Sequence, residues 1–255
     1  MDFYILASGS KGNATLVTDG KTRLLIDMGL TKKAFEEALL KTPYRFQDID
    51  YVIFTHEHSD HVKGVDFFPI EKRFATKVTT QVLPHQTLKH YEEMNIGTFM
   101  VVPLPISHDA KDPIGLIIIS QHDRLVYMTD TGYISEKNIA LMKHADYYII
   151  ESNHDVKMLL QTERSQLLKH RILGDTGHLS NEDAALCLTE MVGPKTKQIF
   201  LAHLSEEANT EAKALDAFVR IFRKRLVPLN KIHLQTAKQY DVVLGGQSLH
   251  SKKKD

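Results

Sequence analysis

Short apolar segments, separated by turns that contain Gly or Pro, dominate the first half of the chain, and this pattern predicts β-strands. Strands are expected at 3–7, 14–18, 22–26, 51–55, 99–104, 114–120 and 125–128. Two further apolar segments, 147–150 and 198–202, are separated by sequence with helical character. The chain therefore contains strands throughout its length and not only at its start.

Apolar positions recur at helical spacing in several segments. Thr31 is a suitable N-cap for a helix that would bury Phe35 and Leu39, and Ser180 is one for a later helix. Other helices are predicted at 136–143, 161–173 and 209–224. Strands interleaved with helices predict the α/β class with mixed sheets. We expect a single domain over residues 1–250, followed by a disordered basic tail at 251–255.

Composition excludes several classes of protein. The 255 residues carry 32 basic and 32 acidic side chains, so a strongly basic nucleic-acid-binding domain is excluded, although a local basic patch is not. The single cysteine, Cys187, excludes a disulfide framework and a cysteine-based zinc site. No apolar run approaches the length of a membrane span, and the first residues do not resemble a secretory signal. These features predict a soluble cytoplasmic protein.

Fourteen histidines stand out in this composition, and three of them lie in one short segment. The sequence 55–61 reads Thr-His-Glu-His-Ser-Asp-His and follows the apolar strand predicted to end near Phe54. Imidazole and carboxylate groups at this spacing are suited to bind two divalent metal ions. The alternative is a solvated turn, which would bring three histidines and an aspartate together only by chance.

Two metal ions need more ligands than one loop supplies. His108, Asp130 and His203 each come just after a predicted apolar strand, as His56 does. Residues at strand ends converge on functional sites. Each of the three could also be an ordinary turn residue, but together they would complete the coordination of two ions.

These residues together resemble the metallo-β-lactamase superfamily, whose His-x-His-x-Asp-His signature is present at His56, His58, Asp60 and His61. The resemblance covers nearly the whole chain and implies an α/β fold, the αβ/βα four-layer sandwich, with two metal ions at one edge. The segments 129–133, 151–155 and 177–181 resemble the bacterial YycJ/WalJ/VicX family, which implies a DNA exonuclease acting from the 5′ end.

The resemblance also implies roles for individual residues. Seven residues would be metal ligands, three for each ion and one bridging both: His56, His58 and His108; Asp60, His61 and His203; and Asp130. The ions would be two Zn or Mn ions. His178 would lie beside the scissile phosphate and, with Asp60, is predicted to be catalytic. His178 also directly precedes a predicted helix start, so a solvent-facing role is the alternative.

Other polar residues are candidates for supporting a ligand or contacting substrate. Asp27 ends a predicted strand, and a carboxylate there could orient a metal-binding histidine. The remaining candidates belong to the opening turn, residues 8–13, and to the segment 151–155: Ser8, Lys11, Asn13, Glu151, His154 and Asp155. Lys11 stands where the resemblance leads us to expect serine. The turn lacks the pattern of a phosphate-binding loop, so no nucleotide cofactor is expected.

The reaction implied by the resemblance is phosphodiester hydrolysis by a hydroxide that bridges the two metals, with DNA as substrate. Basic residues that could follow a DNA backbone are Lys11, Lys169, Arg171 and the group at 220–225. One alternative is a small-molecule hydrolase of the same fold, such as a cyclic phosphodiesterase, thioesterase or lactonase, because fold does not decide substrate. Another is a non-enzymatic accessory regulator.

Overall fold

The structure is a computed structural model that describes residues 1–79 and 82–248. The predicted tail at 251–255 lies outside the described residues. The chain divides into two compact units. The first comprises Met1–Pro105, Ala110–Asp123 and the described residues from Ala237 onward, and the second comprises Ile106–Asp109 and Arg124–Thr236. A single domain over 1–250 therefore stays a prediction.

The first unit contains a mixed sheet. In the order in which they pair, its strands are β14 (Val243–Gly246), β1 (Asp2–Ala7), β2 (Ala14–Thr18), β3 (Arg23–Ile26), β4 (Tyr51–Ile53), β5 (Arg73–Thr76) and β6 (Gln86–Leu88). The first four pair antiparallel, and β3 to β6 pair parallel. Leu25 of β3 lies opposite Val52 of β4. The same unit carries three antiparallel strands, β7 (Met94–Ile96), β8 (Phe99–Pro105) and β9 (Ile114–Ile119).

The described residues of the first unit include two α-helices with complete bounds, α1 (Lys32–Leu39) and the short α2 (Ser59–Val62). The Thr31 hydroxyl accepts a hydrogen bond from the Ala34 amide at 3.3 Å, which confirms the predicted N-cap of α1. Single 3-10 turns occupy Phe46–Asp48, Val65–Phe67 and Ile70–Lys72. Phe35 of α1 and Leu39 are buried, as predicted, and Phe35 packs edge-on against Phe46 with ring centroids 6.0 Å apart.

The second unit contains four parallel strands. They are β10 (Arg124–Met128), β11 (Tyr147–Glu151), β12 (Gln198–Ala202) and β13 (His233–Thr236), and they pair in that order. Every residue of β11 and β12 is buried. Such continuous burial is typical of parallel strands that are covered on both faces, and it explains why these two segments are apolar without alternation.

Five helices complete the second unit: α3 (Glu136–Met142), α4 (Val156–Gln161), α5 (Gln166–Leu173), α6 (Asn181–Met191) and α7 (Glu211–Lys224). The single helix predicted at 161–173 is wrong, because the chain ends α4 and starts α5 anew. Ser165 caps α5 by accepting a hydrogen bond from the Leu168 amide at 3.3 Å. A polar side chain that can bond the backbone favours a helix start over a helix interior.

Several short strands have no strong sequence signal. β6, β7 and β13 contain three or four residues each, with polar or half-buried positions. Their pairing with longer neighbours, rather than their own apolar pattern, makes them strands. Among the helices that the described residues form, none is long and apolar enough to cross a membrane.

The parallel strands decide where the polar residues gather. Parallel strands present their carboxyl ends at one edge of a sheet, and side chains that follow those ends meet there. In the second unit, Asp130 follows β10, Glu151 ends β11 and His203 follows β12. In the first unit, Asp27 follows β3 and His56 follows β4.

Candidate metal centre

Three histidines of the first unit lie next to one another after β4. The ring centroid of His56 is 4.7 Å from that of His58 and 4.0 Å from that of His61. His56 and His61 are fully buried, and His58 is half-buried at the N-cap of α2. The extended residues 56–58 and the first turn of α2 thus bring the three rings of the signature together.

A buried carboxylate holds one of these histidines. Nδ1 of His61 donates a hydrogen bond to Oδ2 of Asp27 at 2.8 Å. The amide and the hydroxyl of Thr55 also donate to Asp27, at 2.8 and 2.9 Å. Because Nδ1 is the donor, Nε2 of His61 is the ring nitrogen with a lone pair available to a metal ion. Burial raises the pKa of Asp27, while His61 and Thr55 act in the opposite direction.

Asn13 of the opening turn contacts both Asp60 and His61. The Asn13 amide group lies with Nδ2 3.1 Å from Nε2 of His61 and 3.5 Å from Oδ2 of Asp60. The Asn13 backbone N–H donates to the carbonyl of Asp60 at 2.8 Å, and the Gly29 N–H donates to the carbonyl of Asn13 at 2.9 Å. A Cβ on Gly29 would lie 1.6 Å from the Asp60 carbonyl oxygen, so only glycine permits this approach.

The second unit contains a cluster of four side chains with potential ligand atoms. Asp130, Glu151, His178 and His203 each offer one nitrogen or oxygen, and these atoms lie within 4.8 Å of one another. Nε2 of His203 is 3.4 Å from Oδ1 of Asp130. The ring of His178 lies 5.2 Å from that of His203 and 5.3 Å from that of His108. The structure therefore brings together four residues predicted from separate motifs.

Glu151 is the centre of this cluster. Its Oε1 accepts hydrogen bonds from Nδ1 of His178 and from Nδ1 of His203, both at 2.8 Å. Its Oε2 accepts from the backbone N–H groups of Thr131 and Leu179, at 3.0 and 3.1 Å. Burial acts to raise the pKa of this fully buried carboxyl, but His178 and His203 outweigh it and lower the pKa to about 2.

These bonds define what Glu151 does. Both of its oxygens are engaged by donors of the protein, and both histidines are fixed with Nδ1 protonated. Each imidazole then presents Nε2 on its other side. Glu151 is thus a positioning residue, which is one of the two roles that the sequence left open for it.

Backbone strain recurs at the strand ends. Asp27, Asp130 and His203 have positive φ values of 59°, 56° and 55°. An L-residue in this left-handed region costs about 1–2 kcal/mol, so the surrounding contacts must hold it there. Three of the seven non-glycine residues with positive φ in the described part of the chain are candidate site residues.

His108 is buried in the second unit, with Nδ1 3.4 Å from the carbonyl oxygen of Gly177. Burial lowers the pKa of His108, which favours the neutral imidazole that a metal ion requires. Gly177 precedes His178 and packs against α5, where a Cβ would come within 2.2 Å of the Arg171 carbonyl oxygen. The glycine lets the chain pass close to α5 just before His178.

Three other candidates from the sequence, Asp155, Ser8 and Lys11, have different surroundings. Asp155 caps α4 by accepting from the Met158 amide at 2.8 Å and pairs with Lys213 at 3.2 Å. Ser8 is buried, and its amide donates to the carbonyl of Lys238 at 3.1 Å. Lys11 is exposed at the tip of the opening turn.

His154 is buried in the second unit, and its carbonyl accepts the Asn181 amide at 2.9 Å. Within the described part of the chain, neither of its ring nitrogens has a hydrogen-bond partner. Burial lowers its pKa to about 4. It is therefore held as a neutral imidazole.

Sequence reasoning missed two residues of the site. Thr55 supplies two of the hydrogen bonds that hold Asp27, and Asn153 donates to the carbonyl of His203 at 2.9 Å. Both are adjacent to predicted site residues or within two positions of them. Their positions gave the only available signal, because a threonine or an asparagine beside a ligand is also common in turns.

The match to a known protein family agrees with the arrangement of these side chains. Residues 22–203 match the family model described as a beta-lactamase superfamily domain, and this range spans the first cluster and the second. The chain belongs to the β-lactamase superfamily. The predicted membership is confirmed, and with it the α/β metallo-β-lactamase fold.

Two similar proteins show which family within the superfamily includes this chain. The chain is 37% identical to exodeoxyribonuclease WalJ of Streptococcus pneumoniae over 83% of this chain and 84% of that one. It is 33% identical to exodeoxyribonuclease YycJ of Bacillus anthracis, over 84% and 86% respectively. Within the superfamily, the chain therefore belongs to the family of these two proteins, as its motifs predicted.

A solved structure supports the fold independently. The metallo-β-lactamase fold protein YhfI of Bacillus subtilis is 17% identical and superposes with a TM-score of 0.71, over 96% of this chain and 99% of that one. At this identity the likeness supports the fold alone.

The donor sets fit divalent metal ions. Both clusters combine imidazole nitrogens with carboxylate oxygens, which are ligands that zinc and manganese accept. In each unit a buried carboxylate fixes the histidine through Nδ1, the arrangement that orients metal-binding imidazoles in proteins. The fold and these clusters indicate divalent metal binding.

Replacing Glu151 with glutamine should weaken metal binding. One carboxylate oxygen becomes an amide N–H₂, which cannot accept from the histidines or from the backbone N–H groups. We expect Glu151→Gln to lower metal affinity about 10- to 100-fold, the usual effect of losing such a partner. Competition against a chromogenic chelator measures it. The control is Asp155→Asn, in which asparagine remains a good N-cap of α4. Equal affinities in Glu151→Gln and the unaltered chain would contradict the positioning role.

His154 should make stability depend on pH. Its pKa is about 4 when folded and about 6.5 when exposed, so the unfolded chain binds a proton more readily. The contribution is complete above pH 6.5 and is lost as pH falls toward about 4, by at most about 1.4 kcal/mol per pH unit. Urea unfolding of the unaltered chain and of His154→Met across this range should show that the unfolding free energy of His154→Met, minus that of the unaltered chain, becomes larger as pH falls. A constant difference would exclude the effect.

Proposed function

We propose that this protein is a metal-dependent phosphodiesterase that degrades DNA from a 5′ end. The chain is a metal-dependent hydrolase of its superfamily, and its 37% identical relative is named exodeoxyribonuclease. The observation that carries the proposal most directly is the cluster around Glu151, which orients one candidate ligand, His203, and one additional histidine, His178, through a single oxygen.

We assign the metal ligands as the superfamily signature implies. The set is His56, His58, Asp60, His61, His108, Asp130 and His203. Support comes from the burial of His56, His61, His108, Asp130 and His203 and from the carboxylates that orient His61 and His203. Two ions, as Zn or Mn, remain part of the proposal, as does the cytoplasmic location.

When bound, two divalent ions lower the pKa of a water molecule and neutralise negative charge on the phosphate. The residues of the chain supply orientation and a proton. Asp27 and Glu151 keep Nε2 of His61 and His203 available to the ions. The backbone N–H of Asn13 holds the carbonyl of Asp60, next to His61, at 2.8 Å.

His178 differs from the other members of the second cluster because its side chain is 21% exposed, whereas those of Asp130, Glu151 and His203 are at most 4% exposed. Oε1 of Glu151 accepts the Nδ1 proton of His178 and so fixes the ring with Nε2 on the side away from the carboxylate. A proton on Nε2 could be donated to a phosphate oxygen or to the leaving oxygen. This role distinguishes His178 from the ligands.

The proposed activity is tested with metal-loaded protein, DNA labelled at the 5′ or the 3′ end, and a small chromogenic phosphodiester. We expect early release of the 5′ label as a short product and progressive shortening of the 3′-labelled strand. Prior chelation of the metal should stop both. Efficient hydrolysis of the small ester with intact DNA would instead support the small-molecule hydrolase, and release of the 3′ label first would contradict the polarity.

Substitutions should separate His178 from the ligands. His61→Ala should lose metal and abolish turnover. His178→Ala should retain metal yet lose about 10²–10⁴-fold in rate, the usual contribution of a positioned acid or base. Metal content by elemental analysis and turnover number are the two readouts. His170→Ala, at an exposed position of α5, is the control. Loss of metal from His178→Ala would make it a ligand, and full activity would exclude a catalytic role.

A further inference from the structure

DNA binding requires cations beyond the cleaved phosphate, and the structure engages three of the candidates in other contacts. Lys169 is buried, and its ammonium group donates to the carbonyl of Leu160 at 2.7 Å. Arg171 pairs with Asp109, and Arg220 pairs with Glu182 at 2.8 Å. The charged groups of these three side chains are therefore less available to contact the phosphates of a DNA backbone.

Lys11 has a different setting, because it lies beside an exposed aromatic ring. Its Nζ is 5.7 Å from the ring centroid of Tyr240, within the range of a cation–π contact. Tyr240 is 66% exposed, so its ring is accessible to a ligand. A cation and an accessible aromatic face thus occupy one place on the first unit.

Hydrogen bonds tie this pair to the signature segment. The Lys11 amide donates to Oε1 of Gln239 at 3.0 Å, and Nε2 of Gln239 donates to the carbonyl of Gly12 at 3.0 Å. Gly12 precedes Asn13, whose side chain contacts His61 and Asp60. The residues from Tyr240 to His61 are therefore connected within one unit through the opening turn.

Tyr240 also borders a cleft of about 270 Å³. Its walls are mainly apolar and are formed by Leu6, Leu30, Ala34, Ala38, Gln239 and Tyr240. Glu37 and Lys41 add polar groups. An apolar cleft with a few polar groups and an aromatic wall is suited to a flat, partly polar ring.

We propose that Tyr240 and Lys11 form a nucleotide subsite, in which a base of the DNA strand stacks against Tyr240 and an adjacent phosphate contacts Lys11. The inference rests on the proposed function and extends it to a specific binding element. Proteins that bind single strands without sequence preference combine aromatic faces with cations in this way. The ring binds every base, so the subsite provides affinity without sequence selectivity.

The test compares Tyr240→Leu with Tyr240→Phe, because phenylalanine keeps the aromatic face and leucine removes it. Binding of a 3′-fluorescein-labelled oligo(dT) is measured by fluorescence anisotropy with the metal-free full chain, so no hydrolysis is needed. Stacking contributes about 1–3 kcal/mol per base, which corresponds to a loss of roughly 5- to 150-fold in affinity for Tyr240→Leu. Tyr240→Phe should stay within about twofold of the unaltered chain.

A second oligonucleotide that carries abasic residues identifies the contact. The unaltered chain should bind it more weakly than oligo(dT), whereas Tyr240→Leu should bind both alike. Equal oligo(dT) affinity of Tyr240→Leu and the unaltered chain would overturn the subsite, as would an equal loss with the abasic strand. Failure of the proposed activity is seen separately, as intact DNA after incubation with the metal-loaded unaltered chain.

Discussion

The hydrogen bonds of Glu151 decide the arrangement of the second unit's polar residues. A buried carboxylate is costly unless donors surround it, and here two imidazoles and two backbone N–H groups do so. The same bonds fix the protonated nitrogen of both histidines. The same contacts therefore stabilise the carboxylate charge and orient the two rings. Strand β11 places the carboxylate where residues after the neighbouring strands can contact it.

Asp27 performs the corresponding task in the first unit with one histidine and Thr55. The two carboxylates differ in pKa. Burial raises the pKa of Asp27, whereas the two histidines lower that of Glu151 to about 2. The number of imidazole partners accounts for the difference, because each adds a charge or a donor that favours the ionised carboxylate.

The sequence predicted the longer strands, the helix caps at Thr31 and Ser180, and the residue types of the site, because these follow from local periodicity and spacing. It could not predict that Glu151 would serve His178 and His203 together. That pairing joins residues 27 and 52 positions apart. It depends on the parallel order of β11 and β12, which no local pattern specifies. The break between α4 and α5 does have a local signal, since residues 161–166 are all polar and include Ser165, the N-cap of α5.

The strand-end residues show how the fold and the chemistry are linked. Asp27, Asp130 and His203 adopt a left-handed backbone conformation that is less favourable for L-residues than the ordinary α or β regions. Contacts that fix the side chain offset this cost: Asp27 has Thr55 and His61, and His203 has Glu151 and Asn153. If a left-handed residue lost these partners, the strain would favour an ordinary turn with the side chain directed elsewhere. The positioning residues therefore determine the backbone as well as the ring orientation, which is why a site of this kind depends on residues that need not contact the metal.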